Sequence, residues 1–461
     1  MNIAAGDAPP SGIHVRRRYW IDHWDPEDQE FWQSFGRRVA TRNLIFSIFA
    51  EHVGFSVWSL WSVLVLFLGK DYGFSTADKF LLTTTPTVVG SMLRVPYSFA
   101  VARFGGRNWT IFSAMLLLLP CILAGALLKP GVSLGTLLFV AATAGVGGGN
   151  FASSMTNINT FYPERLKGWA LGLNAGGGNI GVAVVALVGL AVIALTGVGN
   201  PRLMLWIYIP LIVLAALGAA LFMNNLSTVR NDTGAARLAL KEPHMWIMGF
   251  LYVGTFGSFI GYSFAFGLVL QNQFHYQPLQ AAAWTFLGPL IGSLSRPVGG
   301  RLADKLGGAL VTAGIFVAMA AGCIVVVVAG NIHSFPLYLA GFLALFACSG
   351  IGNGSTYKMI PAIFTAKAMA AVAEGGDKTM ETLLARRMSG AVIGIVSAIG
   401  ALGGVFINIA FRQSFLATGS GTSAVVGFLT FYAVCFVVTW TAYLRRATPE
   451  SARAALATAR I

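Results

Sequence analysis

The sequence GSMLRVPYSFAVARFGG occupies residues 90–106, and residues 292–308 repeat its outline as GSLSRPVGGRLADKLGG. The initial Gly-Ser, an arginine and the final pair of glycines occupy the same positions in both segments. The two arginines are Arg94 and Arg296. Both arginines lie in long apolar stretches. A guanidinium keeps its charge, and in the bilayer centre it costs about 2.5 to 3.5 kcal/mol unless it faces a cavity or a partner. Because few carboxylates are available, the expected partner is a small anion that binds and leaves.

The chain around these arginines is strongly apolar: of its 461 residues 56% are hydrophobic and 10% are charged, and the mean hydropathy is +0.71. This composition indicates a polytopic, all-α membrane protein without a soluble domain. A bilayer core of about 30 Å requires roughly 20 apolar residues per helix. On this criterion we predict twelve helices, at residues 43–69, 79–103, 109–129, 134–160, 168–196, 203–224, 244–270, 279–302, 308–331, 334–365, 387–413 and 423–446.

The basic residues are distributed unequally between the two sides of these helices. Of the 31 Lys and Arg residues, three lie within helices and only five lie in loops on one side, so that the other 23 share a side with both termini. The positive-inside rule therefore predicts cytoplasmic termini in an inner membrane. It also explains the net charge of +14 without nucleic acid as a partner.

The predicted helices divide the chain into five parts. These are an N-terminal cytoplasmic segment (1–42), a six-helix half (43–224), a cytoplasmic linker (225–243), a second six-helix half (244–446) and a cytoplasmic tail (447–461). Residues 25–38, DPEDQEFWQSFGRR, have aromatic residues at helical spacing and predict an interfacial amphipathic helix. The four cysteines lack metal-ligand spacing, and we expect no metal site and no cofactor.

A second repeat supports two related halves in parallel orientation. The pattern G-x-G-x-G occurs at residues 145–149 in the fourth predicted helix and at residues 350–354 in the tenth. Residues 300–307, GRLADKLG, match the loop signature G-x-L-A-D-x-x-G, so the chain resembles the major facilitator superfamily. The resemblance implies twelve transmembrane helices in two pseudo-symmetric halves, a monomer, and cytoplasmic gate residues Arg301 and Asp304. A solvated turn is the alternative for this loop.

Glycine runs occur in the corresponding fifth and eleventh helices. Small residues let membrane helices approach closely, and glycine runs in matching helices also suit rocking elements and sites where the backbone approaches a ligand. We favour the transport interpretation over packing alone. The signature glycines are Gly172, Gly176, Gly177, Gly181, Gly400, Gly403 and Gly404.

A closer resemblance is carried by six segments along nearly the whole chain. They are LRVPYSF (93–99), NFASSM (150–155), ALGLNAGGGNIG (170–181), TFGSFIG (255–261), GST (354–356) and SAIGALGG (397–404). With these segments the chain resembles the NarK-type nitrate/nitrite porters, and the two glycine-rich segments match the nitrate signatures of that family. The resemblance implies transport of nitrate and nitrite by alternating access.

The resemblance also implies the substrate site. Arg94 and Arg296 would clamp the anion from opposite halves, and Asn179 and Tyr252 would donate hydrogen bonds to its oxygens. Phe151 and Phe256 would close above and below its plane. Planar guanidinium groups suit a flat monovalent anion because they bind oxygens bidentately.

Coupling remains open between two modes. Two unpaired guanidinium groups resist closure of an empty cavity, which favours nitrate/nitrite antiport. However, Glu51 and His52 stand where several family members are apolar, and Lys358 stands where others have an uncharged polar residue. These groups predict a proton-coupling site for nitrate/proton symport, because burial and neighbouring charges tune such groups. The structural alternatives are a Glu51–Lys358 ion pair or a hydrated Glu51.

The sequence gives less support to other functions. An enzyme or redox subunit lacks support, since paired haem-spaced histidines, cysteine clusters and carboxylate dyads are missing from the predicted helices. A non-transporting anion receptor would need a signalling domain or a long tail. A transporter of another small monovalent anion or organic acid is the main competitor on physical grounds.

Overall fold

The structure is a computed structural model that describes residues 15–16, 19–229 and 232–445. The expected tail and the first fourteen residues lie outside this range. Most of the described chain is helical. The long helices are α1 (Gln29–Trp58, continued by Leu60–Phe67), α2 (Thr76–Phe104), α3 (Gly106–Leu127), α4 (Leu134–Phe161), α5 (Glu164–Thr196), α6 (Arg202–Phe222), α7 (Pro243–Gln273), α8 (Pro278–Thr285 and Leu287–Leu306), α9 (Gly308–Asn331), α10 (Phe335–Ala373), α11 (Lys378–Thr418) and α12 (Thr422–Leu444).

Nine helices in the described part of the chain are long and apolar enough to cross a membrane. The number is ten if the two parts of the bent α1 count as one span. Helices α2 and α8 are not among them. Their sequences explain the difference from the twelve spans expected, because α2 contains a threonine run and α8 ends in a charged segment. These are the two helices that carry Arg94 and Arg296, so polarity is concentrated where the arginines lie.

The two sequence repeats pack against each other within each half. A Cβ on Gly90 of α2 would lie 3.1 Å from the carbonyl oxygen of Gly145 at the break in α4. A Cβ on Gly350 of α10 would lie 3.0 Å from the Cα of Gly292 in α8. Each pair thus brings two backbones together where a side chain would not fit. The duplicated glycines therefore set how closely each arginine helix packs.

The duplicated glycine pairs end the arginine helices in the same way. Gly105 has φ 85° and its N–H donates to the Val101 carbonyl at 2.9 Å, while Gly307 has φ 92° and donates to Ala303 at 3.0 Å. Such positive φ values favour glycine. The signature GRLADKLG therefore lies mostly in the last turns of α8, and only its final glycine leaves the helix.

Four hydrogen bonds join described residues of the two halves. Three of them lie at one end of the bundle, which we call the Asn408 end: Thr83 to Asn408 at 3.1 Å, Thr76 to Asn272 at 2.7 Å and Arg412 to the Ala77 carbonyl at 3.3 Å. The fourth joins Arg94 to Ser397 in the middle. The opposite end, which we call the Asp304 end, carries the linker helix Thr233–Lys241.

The N-terminal segment packs against the first half. Strands β1 (Val15–Arg16), β2 (Trp20–Ile21) and β3 (Asn225–Leu226) form a small sheet in which β2 pairs antiparallel with β1 and parallel with β3. The aromatic residues of the expected amphipathic helix are buried in a cluster with Phe161, the last residue of α4, and Tyr162 of the α4–α5 connection. They therefore pack on protein, because the paired strands hold the segment against the bundle.

Candidate functional site

Arg94 lies in the middle of the bundle and is fully buried. Its Nε donates to the Gly148 carbonyl at 3.2 Å and its Nη1 donates to the Ser397 carbonyl of the other half at 2.9 Å. Its guanidinium carbon lies 4.6 Å from the ring centroid of Phe151 and 4.8 Å from that of Phe256. Within the described chain, Nη2 has no hydrogen-bond partner. Two of the three guanidinium nitrogens thus donate to backbone carbonyls, and the third, Nη2, does not.

Arg296 occupies the equivalent place in the second half and is 6% exposed. Its guanidinium carbon lies 5.5 Å from the ring centroid of Tyr357 and 6.0 Å from that of Phe151. Both arginines therefore face the same phenylalanine, so the repeat brings them to one site. Like Arg94, Arg296 keeps a buried donor, Nη1, without a partner among the residues described.

The aromatic residues form one continuous wall beneath the guanidinium groups. Phe151 and Phe256 stack with centroids 6.0 Å apart and planes 26° apart, and Phe256 stacks on Tyr252 at 5.3 Å. Phe256 lies in the π-helical segment Val253–Gly257 of α7, which widens the helix near the site. In this conformation the two phenylalanines contact each other, and Arg94 lies over both rings.

Two further polar groups are buried at this wall, and the predicted ligand Asn179 is buried on α5. Tyr252 interacts electrostatically with both guanidinium groups, yet its hydroxyl makes no hydrogen bond of good geometry within the described residues. The Tyr357 hydroxyl is equally unpartnered there, and the Tyr252 and Tyr357 rings lie 5.9 Å apart. Asn179 is buried on α5 with its side-chain oxygen unpaired in the same range. The site thus combines several unused polar groups.

Glu51 of α1 adds a carboxylate that is 1% exposed and interacts with both arginines. Its Oε2 accepts hydrogen bonds from Asn174 Nδ2 at 2.6 Å and from the Ser154 hydroxyl. A Cβ on Gly178 would lie 2.7 Å from the Glu51 carboxyl carbon, so glycine leaves room for this side chain. The carboxylate is therefore held by α4 and α5 beside the arginine site.

The other two predicted proton-coupling residues have different surroundings. His52 Nδ1 lies 3.1 Å from the Gly177 carbonyl of α5. Lys358 forms an ion pair with Asp304, and both side chains are partly exposed. Arg301 is exposed one turn before Asp304 on α8. Lys358 therefore belongs with the predicted gate residues at the Asp304 end, whereas Glu51 belongs with the arginines.

The signature glycines differ in their surroundings. Five of them face close neighbours on other helices, so that a Cβ would collide: Gly177, Gly181, Gly400, Gly403 and Gly404. Gly172 and Gly176 face open space. Close packing thus accounts for most of the set, including the approach of Gly400 to the ring of Tyr252.

Several residues at the site were not singled out from the sequence. Tyr357 follows the GST segment, and Ser154 and Asn174 lie inside the matched segments. The Trp58 ring centroid lies 5.4 Å from the guanidinium carbon of Arg94. For Ser154 and Asn174, their position inside the matched segments was the available signal. In the described part of the chain, no group of three or more His, Cys, Asp or Glu residues is arranged to hold a metal ion.

The comparisons with known proteins agree with this architecture. The family model of the Major Facilitator Superfamily matches residues 44–407 of this chain. The nitrate/nitrite transporter NarU of Escherichia coli is 39% identical over 450 residues, covering 93% of this chain and 97% of NarU. The probable nitrate/nitrite antiporter NarK2 of Thermus thermophilus is 33% identical, with 93% and 97% covered. The nitrite extrusion protein of Bacillus subtilis is 29% identical, with 79% and 85% covered.

Among solved structures, the xylose transporter XylE from E. coli, in a partially occluded inward open conformation, has a TM-score of 0.66 at 13% identity. The match covers 88% of this chain and 98% of XylE. This likeness shows the fold alone. The fold and these matches define a multi-pass membrane transporter of the Major Facilitator Superfamily, not an enzyme. Within that superfamily the chain belongs to the family of nitrate/nitrite porters, which confirms the resemblance of its sequence segments.

Proposed function

We propose that this chain is a secondary active transporter that moves nitrate and nitrite across the cytoplasmic membrane by alternating access. One observation carries the proposal: four buried donor groups at one site make no hydrogen bond of good geometry to the described residues. They are Arg94 Nη2, Arg296 Nη1 and the hydroxyls of Tyr252 and Tyr357. Since an unpaired buried donor costs about 1–3 kcal/mol, a ligand rich in acceptor oxygens is expected there.

Nitrate fits the chemistry of these groups. It is flat, carries one negative charge and offers three acceptor oxygens, which two guanidinium groups can bind from opposite sides. The rings of Phe151 and Phe256 exclude water from the site and strengthen the attraction. The names of the relatives, nitrate/nitrite transporter NarU and probable nitrate/nitrite antiporter NarK2, support the same substrates.

The paired charges supply a reason for occupancy to control the transport cycle. Both guanidinium carbons lie within 6.0 Å of the Phe151 ring centroid. The two like charges are therefore separated by no more than about 11 Å, and at that distance they repel by roughly 1.5 kcal/mol at an effective dielectric constant of about 20. A bound monoanion removes this repulsion and permits closure, which yields nitrate/nitrite antiport. Nitrate/proton symport is the other mode, and it depends on Glu51.

We assign the Asp304 end to the cytoplasm, because the basic loops and both termini lie on that side by the positive-inside rule. Hydrogen bonds between the halves at the Asn408 end then close the periplasmic side. Under this assignment Asp304 and Arg301 belong to the cytoplasmic gate. The Asp304–Lys358 ion pair fastens α8 to α10 within one half, so that the gate moves as one piece.

Counterflow in proteoliposomes tests the function. Vesicles loaded with unlabelled nitrite should take up labelled nitrate above its equilibrium level, and Arg94→Lys or Arg296→Lys should abolish the overshoot. Arg103→Lys, an exposed arginine near the end of α2, is the matched control and should retain it. Overshoot with internal formate but not with nitrite would favour transport of another small anion.

A further inference from the structure

Glu51 has a place in the arginine site that the anion clamp does not use. One carboxylate oxygen, Oε2, is held by Ser154 and Asn174, whereas Oε1 has no hydrogen-bond partner within the described residues. Gly178 on α5 leaves the space that the carboxyl group fills. This buried carboxylate near two cations thus has one oxygen that accepts hydrogen bonds from the protein and one that can accept a proton.

The charged and titratable groups around Glu51 define the charge of the cavity. Arg94 from α2, Arg296 from α8 and the Tyr357 hydroxyl of α10 interact electrostatically with the carboxylate. The neighbouring His52 lies against the Gly177 carbonyl of α5. Lys358 pairs with Asp304. The cavity charge is therefore set by two permanent positive charges and one carboxylate that can be ionised or protonated.

We propose, building on the proposed transport of nitrate, that Glu51 binds one proton for each nitrate and thereby makes this chain a nitrate/proton symporter. With the carboxylate ionised, the empty cavity carries a net charge of +1. When nitrate and a proton are both bound, two arginines and one nitrate again give +1. The empty and the loaded carrier thus have equal charge and can both change conformation.

Without the carboxylate, the same count of cavity charges predicts a different coupling mode. The empty cavity carries +2 and the nitrate-bound cavity carries +1, so only the loaded form resembles the state that crosses. Such a carrier exchanges anions but does not return empty. Glu51 therefore decides between symport and the anion exchange to which the arginine pair alone is limited.

The proton step involves one bond. A proton from water on the outer side binds to Oε1 of ionised Glu51 as nitrate enters, forming an O–H bond. The bond breaks when the cavity opens to the cytoplasm, and both ions leave together. One proton and one nitrate cross per cycle, so no net charge is moved, and the pH gradient drives uptake.

The test uses the full-length protein in proteoliposomes and separates two assays. The first is nitrate counterflow against internal nitrite, which measures the proposed function. The second is nitrate uptake into vesicles without internal anion substrate, driven by a pH gradient at clamped zero membrane potential. An internal pH dye records proton entry. The variants are Glu51→Gln and, as a matched control, Glu374→Gln at an exposed position.

We expect wild-type protein and Glu374→Gln to take up nitrate and protons in a ratio of 1:1 when driven by the gradient. Glu51→Gln should lose this uptake by at least about tenfold, because the charge match in a low-dielectric cavity is lost, and should keep counterflow. Gradient-driven uptake retained in Glu51→Gln overturns the proposal. Wild-type protein that performs counterflow but takes up no nitrate in response to the gradient overturns it too, while leaving nitrate transport intact.

A second variant keeps the proposal falsifiable if Glu51→Gln is inactive in both assays. Glu51→Asp retains a titratable carboxyl group, and we expect it to carry protons with nitrate at a reduced rate. Nitrate exchange by this variant without proton entry would overturn the proposal. Absence of counterflow in folded wild-type protein would instead refute the proposed function.

Discussion

Arg94 and Arg296 occupy equivalent positions in the two halves but are held differently. Arg94 is bound by two backbone carbonyls, one of which belongs to Ser397 in the opposite half. Arg296 lies over the ring of Tyr357 in its own half and is slightly exposed. Arg94 thus hydrogen-bonds to the opposite half, whereas Arg296 faces the opposite half through the ring of Phe151, whose centroid lies 6.0 Å from its guanidinium carbon. We infer that Arg94 links substrate binding to conformation, whereas Arg296 mainly binds substrate.

The largest expected effect comes from replacing either arginine by lysine. Lysine keeps the charge but loses the planar fork, so each variant should lower nitrate affinity by roughly 10- to 100-fold, the equivalent of one charged hydrogen bond. Isothermal titration with nitrate measures this loss, and Arg103→Lys is the control. The comparison predicts that only Arg94→Lys also changes the rate of conformational exchange. Equal exchange rates in the two variants would mean that the Ser397 contact carries no coupling.

A smaller effect is expected from two glycines on the same helix. Gly178→Ala places a Cβ 2.7 Å from the Glu51 carboxyl carbon, whereas Gly176→Ala meets open space. Gly178→Ala should reduce pH-driven nitrate uptake by about tenfold through displacement of the carboxylate, and Gly176→Ala should leave it nearly unchanged. Uptake assays in vesicles check this pair. Similar uptake by both variants would show that the packing around Glu51 does not matter.

The tyrosine hydroxyls, both in the second half, test how that half binds the anion. Tyr252→Phe and Tyr357→Phe each remove one buried donor without changing ring packing. If each hydroxyl binds the anion, each variant should weaken nitrate binding by roughly 2- to 10-fold, since one neutral hydrogen bond contributes about 0.5–1.5 kcal/mol. Affinity unchanged in Tyr357→Phe would restrict that residue to supporting Arg296.

Arg387 is the reference for an arginine with a permanent partner. It donates hydrogen bonds to both carboxylate oxygens of Asp232 and thereby lowers the pKa of this exposed group from 3.8 to about 2. Because the folded-state pKa is depressed, the stabilisation is present above about pH 3.8 and disappears as the pH falls through about 2. The effect should stay within roughly 1 kcal/mol, as for other exposed pairs.

Asp232→Asn is the variant that measures this small contribution. The single acceptor oxygen of asparagine keeps the capping hydrogen bond to the Ala235 N–H at the start of the linker helix, so the variant loses the charge and one of the two hydrogen bonds from Arg387. The difference in melting temperature between the two proteins in detergent should shrink as the pH is lowered from 5 to 3. A difference that grows on acidification would contradict the assigned pair.

The sequence predicted the arginine pair because a repeat conserves position: equal offsets along the chain become equivalent places in two packed halves. It did not predict the partners of Glu51, because Ser154 and Asn174 are 103 and 123 residues away and only packing brings them together. Side-chain direction explains the rest. Adjacent helical residues point about 100° apart, so Tyr357 faces Arg296 while Lys358 turns toward Asp304.

A double-mutant cycle for nitrate binding tests the central claim most directly. If one anion contacts Arg94 and Arg296 together, the Arg94→Lys/Arg296→Lys protein should bind nitrate about as weakly as the worse single variant, because either change already breaks the clamp. Wild-type affinity in either single variant, or losses that simply add in the double variant, would contradict a shared anion.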